Sequence, residues 1–380
     1  MEPHGVVFSI NSIPLDHQTL YIHKEMGKFA PGVIHGKALS DLFDDASRNH
    51  YALPAVNVFN TNSMNAVLET AAVVNSPVCI QFSISGAQFI AGMGLPLKGT
   101  DALVLGAVSG ALHVHSLAEH YGVTVVLHTD HAQREWLPWI DGLLKKGEKF
   151  KKEKGVPLFS SHMLDLSSES LQENLTLSEI YLKRLDALGM GLELELGMTG
   201  GEEGHVDNTK LSVQSHYTHP KDILFAYECL QPLSSNFLVA ASFGNVHGLY
   251  NPNNVELRPE ILEQGQSLIQ QKHKTSPNPM RFVFHGGSGC DAGQIRKSLD
   301  FGVVKMNIDT DLQWSFWNGV KLYYDKNEPY LKSPLGNPEG SDKPNKKFYD
   351  AKTWLREAEK HYGERLIQAF QDLNCMGRNK

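Results

Sequence analysis

The chain has 380 residues, of which 41% are hydrophobic and 20% are charged, and its formal net charge is −7 at pH 7. This composition is ordinary for a globular protein, and the acidic balance argues against a nucleic-acid-binding protein, which usually carries a basic excess. The four cysteines are widely spaced, which indicates a reducing compartment rather than a disulfide framework. The first twenty residues lack the pattern of a secretory signal, and no apolar run reaches the roughly 18 residues that span a bilayer. We therefore expect a cytoplasmic protein that has no membrane partner.

Strand and helix patterns alternate along most of the chain. Short apolar runs bounded by turn residues predict strands, and apolar residues at helical spacing predict helices. The predicted strands lie at 55–58, 77–83, 124–128, 157–161, 192–196, 236–242, 282–284 and 303–307. The predicted helices lie at 63–71, 103–121, 136–150, 168–189, 220–230, 259–271 and 292–299, with Ser63 as the cap of the first and Asp309 opening a further one. A glycine-rich loop is expected between 84 and 99.

Eight strands separated by helices predict an α/β fold, a (β/α)8 TIM barrel. We expect the barrel at about 51–327 within a single domain that spans 1–380. An N-terminal helical addition would precede it, and a C-terminal helical extension at about 328–380 would follow. Active sites of such barrels lie at the C-terminal ends of the strands. Those ends carry Asn57, Ser83, Asp130 with His131, Asp165, Glu195, His247, His285, and Asn307 with Asp309.

Three histidines at predicted strand ends indicate a metal site. Imidazole is a good zinc ligand, and a catalytic zinc keeps three protein ligands and one open position. His131, His247 and His285 fit that number, although a lone histidine is more often a core or surface residue. His128 competes with His131. Because an alternating strand would point the two in different directions, we prefer His131, which lies beyond the strand.

Carboxylates accompany these histidines. Asp130 could be a metal ligand, an orienting group, a general acid or base, or simply the cap of the following helix. Glu193 and Glu195 lie two residues apart on one strand and so face the same side, where buried carboxylates are costly unless they are paired or metal-bound. The acidic loop at 197–204 could carry a base over the site, although an ordinary solvated loop has the same composition.

Two later loops have the character of a phosphate site, although a glycine-rich segment alone could also be a plain turn. The glycine-rich segment 285–289 and the segment 307–310 follow the seventh and eighth strands, whose loops often bind phosphate in this fold. Glycines let backbone N–H groups approach an anion, and helix N-termini favour it. Ser83 and Gly248 would complete the cradle. The basic groups at 344–347 and Lys352 could reach a second phosphate, or could form a solvated face.

Taken together, these segments resemble the class II fructose-1,6-bisphosphate aldolases, the zinc-dependent enzymes, in their longer form. The matching segments are HTDH at 128–131, SSHMLDLSSESLQEN at 160–174, ELELGMTGGEE at 193–203, ASFGNVHGLY at 241–250, FVFHGGSG at 282–289, GVVKMNIDTDLQW at 302–314 and PNKKFYD at 344–350. They cover nearly all of the chain after residue 51 and are far more specific together than any one of them alone.

The resemblance implies a role for each candidate residue. The Zn²⁺ ligands would be His131, His247 and His285, with Glu195 and Asp165 at a second or alternate metal position. Asp130 would move the proton at the C4 oxygen, and Glu203, with Glu202 beside it, would move the proton at C3. The substrate-binding residues would be Asn57, Ser83, Gly248, Gly286, Gly287, Ser288, Asn307, Ile308, Asp309, Thr310, Lys346 and Lys352. The family also uses a monovalent cation (K⁺ or Na⁺) and forms homodimers that act on phosphorylated sugars.

One departure and three alternatives remain at this stage. The family's longer form usually has Arg where this chain has Lys352, so we expect weaker discrimination at the distal phosphate. Tagatose 1,6-bisphosphate, which differs only at C4, is an alternative substrate. A zinc-dependent barrel hydrolase would leave the phosphate loops unexplained. A non-catalytic barrel with a structural zinc would require a fourth protein ligand and a closed site.

Overall fold

A computed structural model describes residues 27–97, 99–203, 206–207, 217–247 and 256–380. The strands of this part are β1 (Gly32–Val33), β2 (Leu53–Asn57), β3 (Val78–Phe82), β4 (Thr124–Ala132), β5 (Ser161–Leu164), β6 (Gly191–Leu196), β7 (Gly200–Glu203), β8 (Val206–Asp207), β9 (Phe237–Ala241), β10 (Val246–His247), β11 (Phe282–Phe284), β12 (Val303–Ile308), β13 (Leu335–Asn337) and β14 (Gly340–Pro344). The helices are α1 (Gly36–Arg48), α2 (Thr61–Val74), α3 (Ile84–Ala91), α4 (Thr100–Tyr121), α5 (Leu137–Lys154), α6 (Leu171–Leu188), α7 (Pro220–Leu230), α8 (Glu260–His273), α9 (Ala292–Asp300), α10 (Thr310–Leu331), α11 (Lys346–Tyr349) and α12 (Ala351–Asp372).

A closed parallel barrel forms the centre of the molecule. Its strands are β2, β3, β4, β5, β6, β9, β11 and β12. Neighbours pair in parallel, and β12 pairs with β2 to close the ring, with Asn307 opposite Ala55. This confirms the predicted (β/α)8 barrel. Every residue of β2 and β3 is buried. Helices cover the outside of a parallel barrel, so its strands are continuous apolar runs rather than alternating ones.

Helix α4 packs closely against α3 and the barrel. Among the described helices it alone has the length and apolar composition to cross a membrane, although half of that stretch is buried. Gly106 and Gly110 allow the close approach, because a Cβ at Gly106 would lie 1.8 Å from the carbonyl oxygen of Ala87 and one at Gly110 would lie 2.3 Å from the ring of Phe82. The apolar composition of α4 is therefore explained by its packing against α3 and the outside of the barrel.

Three local predictions differ from the structure. Helix α2 begins at Thr61 with Asn60 as its N-cap, and Ser63 is instead the third residue, which completes a capping box. The predicted loop after β3 contains α3, because the Ser83 hydroxyl accepts a hydrogen bond from the Gly86 N–H and opens a helix. The strand predicted at 157–161 lies at β5, where Ser161 pairs with His128.

The two ends of the described chain pack on the barrel. Helix α1 precedes β2, as predicted for the N-terminal addition, and α12 forms the predicted C-terminal helix. Helix α12 lies along α10, where a Cβ at Gly319 would lie 2.8 Å from the Cα of Ala358. Beyond α12, the Leu373 carbonyl accepts a hydrogen bond from the Ala52 N–H at 3.1 Å, and the Gly377 N–H donates to the Val74 carbonyl at 2.9 Å.

Candidate active site at the barrel mouth

Buried polar side chains converge at the C-terminal ends of the barrel strands. The carboxylates among them are Asp130, Asp165, Glu193 and Glu195, all buried. The imidazoles among them are His128 and His285, both buried, and the partly exposed His131. Buried carboxylates are stable only when they are paired or bound to a cation. The cluster therefore combines ligand groups with an excess of negative charge.

A distortion of β4 brings adjacent residues of one strand into the cluster. His131 has φ of 36°, and the pairing of β4 with β5 shifts register between Thr129 and Ala132. A non-glycine residue at positive φ is strained, and such strain is concentrated at functional sites. As a result, His131 Nδ1 lies 3.5 Å from Asp165 Oδ2 and 3.6 Å from Glu195 Oε2. His128 also faces the interior, so strand alternation does not separate the two histidines as we had expected.

Glu193 is the centre of a buried charge network. Its Oε1 accepts a hydrogen bond from His285 Nε2 at 3.0 Å. Its Oε2 lies 2.9 Å from Lys305 Nζ and 3.3 Å from His128 Nε2. Burial would raise the pKa of Glu193, but Lys305 and His128 outweigh it, and the pKa falls below its usual range. Burial, with the Lys305 charge, lowers the pKa of His128 to about 3, so His128 is a neutral structural partner of Glu193.

Asp130 is held by two asparagine side chains. Asn57 Nδ2 donates to one carboxylate oxygen at 3.0 Å, and Asn307 Nδ2 donates to the other at 3.1 Å. Each asparagine amide is oriented in turn, because Gln81 Nε2 donates to Asn57 Oδ1 and Lys305 Nζ donates to Asn307 Oδ1. Asp130 lies within β4 and caps no helix. The arrangement presents a fixed carboxylate beside His131, whose Nε2 is 3.8 Å from Asp130 Oδ1.

The donor set fits a divalent cation. Three groups of side chains bring their ligand atoms within 4.8 Å of one another: Asp130 with His131 and His285, His131 with Asp165 and Glu195, and His128 with Asp130 and Glu193. Glu195 Oε2 is buried and has no hydrogen-bond partner in the described ranges, although it lies 3.5 Å from His285 Nδ1. Thr199 holds the other oxygen, Oε1, at 2.7 Å. Imidazole nitrogens and carboxylate oxygens are ligands that zinc and related ions prefer.

The predicted phosphate loops meet beside this cluster. Gly286 has φ of +64°, and the Gly287 N–H donates to the Asn307 carbonyl at 3.3 Å. A Cβ at Gly287 would lie 2.8 Å from the Met306 side chain, so a larger residue here would require Met306 to move. Ile308 ends β12, Asp309 is the N-cap of α10, and Thr310 is its first residue. A glycine loop and a helix N-terminus thus lie together, which is the usual composition of a phosphate site.

A small separate sheet carries the remaining candidates. Strand β7, which includes Glu202 and Glu203, pairs antiparallel with β8, and β10 pairs in parallel with β7 so that His247 lies opposite Gly201. The predicted acidic loop is therefore partly a β-hairpin, joined by its backbone to the segment that carries His247. The side chains of Glu202, Glu203 and His247, and all of Gly248, lie outside the described residues.

Three other candidates make no hydrogen bond or ion pair with the cluster in the part of the chain that the structure describes. Ser83 caps α3, and its hydroxyl oxygen is 3.2 Å from that of Ser85. Lys346 is exposed at the start of α11. Lys352 is 88% exposed, and its Nζ pairs with Asp350 at 3.0 Å. No hydrogen bond or ion pair within the described ranges links either lysine to the residues of the barrel mouth.

Sequence reasoning missed several supporting residues. It gave no role to Gln81, Thr199 or Asn245, whose side chain donates to the His285 carbonyl at 3.1 Å. It gave no role to Lys305 either. The available signal was the two-residue spacing between Lys305 and Asn307 in β12, which places both side chains on the inner face of the barrel.

Comparisons with known proteins agree on one family. The family model described as "Fructose-bisphosphate aldolase class-II" matches residues 37–378. The chain is 56% identical to a fructose-bisphosphate aldolase of Campylobacter jejuni over 92% of this chain and 98% of that protein. It is 54% identical to the class 2 fructose-bisphosphate aldolase of Escherichia coli K12 over 91% and 97%. A crystal structure of fructose-bisphosphate aldolase from Campylobacter jejuni superimposes with a TM-score of 0.84 at 54% identity, covering 92% of this chain and 98% of that one.

Proposed function

The chain belongs to the class II fructose-bisphosphate aldolase family, and from this we propose how its residues carry out reversible cleavage of fructose 1,6-bisphosphate to dihydroxyacetone phosphate and glyceraldehyde 3-phosphate. The enzyme is a carbon–carbon lyase that acts on a phosphorylated sugar and uses a divalent metal. We further propose that the chain acts as one domain over 1–380, in the cytoplasm and as a homodimer.

The proposed ligands of a catalytic Zn²⁺ are His131, His285 and His247. The positions of His131 and His285, 4.7 Å apart between ring centres, support the first two. Glu195 and Asp165, both near His131, would serve a second or alternate position. The bound cation would act as a Lewis acid that stabilises the negative charge developing on the ketone half of the substrate. A monovalent cation, K⁺ or Na⁺, is proposed to accompany it.

Asp130 is proposed as the acid and base at the C4 oxygen. In cleavage it takes the proton of the C4 hydroxyl, and in condensation it returns that proton. A general base must be held within hydrogen-bond reach of its proton. The two asparagines, Asn57 and Asn307, fix both Asp130 oxygens, so the carboxylate is positioned before substrate binds.

Glu203 is proposed to move the proton at C3 of dihydroxyacetone phosphate, with Glu202 beside it. Glu203 belongs to a hairpin of β7 and β8. Because β7 also pairs with β10, which contains the proposed ligand His247, the hairpin is joined to the proposed metal site, and this supports the role. A base on a segment outside the rigid barrel can approach the substrate after the substrate binds, and closure of that segment excludes water from the site. The two proton transfers are thus assigned to different elements.

The ketone-side phosphate is proposed to bind between the β11 loop and the N-terminus of α10. Gly286, Gly287 and Ser288 would supply one side of this subsite, and Asn307, Ile308, Asp309 and Thr310 the other, with Ser83 and Gly248 completing it. Close packing of Gly287 on Met306 supports the assignment, since it brings the two segments together. Lys346 and Lys352 are proposed to bind the distal phosphate across the dimer.

The convergence of His131, His285 and Glu195 beside a clamped Asp130 is the observation that carries this proposal. A coupled assay tests it. Purified protein with fructose 1,6-bisphosphate should release triose phosphates, EDTA should abolish the activity, and added Zn²⁺ should restore it. Inactivation by borohydride in the presence of substrate would instead indicate a Schiff base and contradict the proposal.

The same assay separates the alternatives. Comparing kcat/KM for fructose and tagatose 1,6-bisphosphate decides the C4 preference, which we expect to favour fructose. A zinc-dependent hydrolase would release no triose phosphate. If the zinc were only structural, EDTA would fail to remove it, or the protein would cleave no sugar bisphosphate at all.

A further inference from the structure

The C-terminal helix α12 reaches the first turn of α10, on which the proposed phosphate subsite is built. Arg365 of α12 has its Nη2 2.5 Å from Oδ2 of Asp311. The two side chains are 27% and 15% exposed, so the ion pair is largely shielded from water. Nearby, the Ser315 hydroxyl donates to the His361 carbonyl at 2.8 Å, which fixes the two helices against each other.

Asp311 also joins the two halves of the subsite. Its backbone N–H donates to the Ser288 hydroxyl at 3.3 Å, so the β11 loop and the first turn of α10 meet at this residue. The Asp311 charge acts on this loop, because after burial it is the main contribution that raises the pKa of the Cys290 thiol, which reaches about 12. A carboxylate in the first turn of a helix is favourable by itself. Beside a bound phosphate, however, an uncompensated carboxylate would repel the ligand.

We propose that Arg365 is a positioning residue for the phosphate subsite. It neutralises the Asp311 carboxylate, so that the first turn of α10, which meets Ser288 at this residue, presents no uncompensated negative charge to the phosphate. This inference rests on the proposed function of the subsite. It gives the C-terminal extension a part in substrate binding that is separate from the lysines proposed for the distal phosphate.

Substitution of the two residues of this ion pair tests the proposal. In Arg365→Met the carboxylate of Asp311 is left unpaired, and we expect KM for fructose 1,6-bisphosphate and the inhibition constant of inorganic phosphate each to rise about tenfold, with a smaller change in kcat. One unscreened like charge near a phosphate produces an effect of this order. Combining Arg365→Met with Asp311→Asn should return both constants toward the wild-type values.

A second ion pair of α12 supplies a matched control. Arg356 pairs with Glu69 of α2 at 2.6 Å and has a comparable 24% exposure, but among the described residues it makes no hydrogen bond or ion pair with the phosphate subsite. Arg356→Met should lower the melting temperature and leave KM and the phosphate inhibition constant unchanged. If it weakens phosphate binding as much as Arg365→Met does, the effect is one of general stability and the proposal is wrong.

Further variants keep the test decisive. Should Arg365→Met fail to fold, Asp311→Asn alone remains informative, because it should lower the phosphate inhibition constant; an increase would overturn the proposal.

Ser288→Ala tests the subsite itself. If inorganic phosphate does not compete with substrate in the wild type, or if Ser288→Ala binds it as well as the wild type, the subsite assignment fails together with this inference. If both behave as expected and Arg365→Met keeps the wild-type constant, the positioning role alone fails.

Discussion

Replacing Lys305 by methionine tests the buried network that supports the active site. Lys305 is 1% exposed and Glu193 is fully buried, with 2.9 Å between Nζ and Oε2. Methionine approximates the volume of the lysine stem but leaves the carboxylate without its cation. Removing one partner of a buried ion pair costs about 3–5 kcal/mol. Since domains are stable by about 5–15 kcal/mol, the loss would be a large fraction of the free energy of unfolding.

The same substitution should also lower kcat. Lys305 donates to Asn307 Oδ1 at 2.7 Å and so sets the direction of the amide that holds Asp130. Without that donor, the Asn307 amide can rotate and present its oxygen to the carboxylate. We expect kcat to fall by about tenfold or more, as when a catalytic group loses its position.

Urea unfolding in the presence of EDTA is the assay, because chelation removes the contribution of metal binding to stability. The double variant Lys305→Met/Glu193→Gln is the control. It carries no unpaired charge, and its glutamine oxygen can still accept from His285, so we expect it to recover at least about 2 kcal/mol relative to the single variant. A single variant that loses less than about 1 kcal/mol, or a double variant that is no more stable than the single, would refute this account of the network.

Three further predictions concern separate parts of the site. Glu203→Ala should stop solvent proton exchange at C3 of dihydroxyacetone phosphate, measured by NMR in deuterium oxide, while the metal content remains that of the wild type; surviving exchange would show that the base is another residue. Lys352→Arg should lower KM for fructose 1,6-bisphosphate because it restores a bidentate phosphate contact, and it should leave kinetics with non-phosphorylated aldehydes unchanged. Burial, with Asp311 and Asp291, raises the pKa of Cys290 to about 12, so at pH 8.5 this thiol is protonated in the folded protein. Iodoacetamide should therefore label Cys290 much more slowly in the native than in the unfolded chain, and equal rates would contradict this burial.

The barrel and the position of the candidate site at its mouth could be predicted from sequence because both depend on local patterns. Apolar runs mark the strands, and a polar residue directly after each run marks the mouth. The distortion of β4 could not be predicted in this way. It depends on the pairing of Thr129 and Ala132 with β5, and strict alternation incorrectly separated His128 from His131.

Contacts between strands that are far apart in the sequence could not be predicted from local patterns either. The sequence left open whether Asp130 caps a helix, whereas the structure places it between Asn57 and Asn307, which are contributed by two other strands. Lys305 had an evident position but no evident partner, because Glu193 is more than a hundred residues away. Side-chain networks of this kind are fixed by tertiary packing, and a single sequence shows only their members.

The contact between the chain's last residues and its first barrel strand has a consequence for folding. The Ala52 N–H bonds to Leu373, and the Phe29 N–H donates to the Asn379 side chain at 2.8 Å. These partners are separated by over three hundred residues, and contacts of such long range make folding slow. During synthesis, the start of β2 waits for this partner until the residues after α12 have emerged, and an incomplete barrel exposes unpaired strand edges meanwhile. A chain that lacks residues 373–380 therefore leaves the N–H groups of Ala52 and Phe29 without these partners.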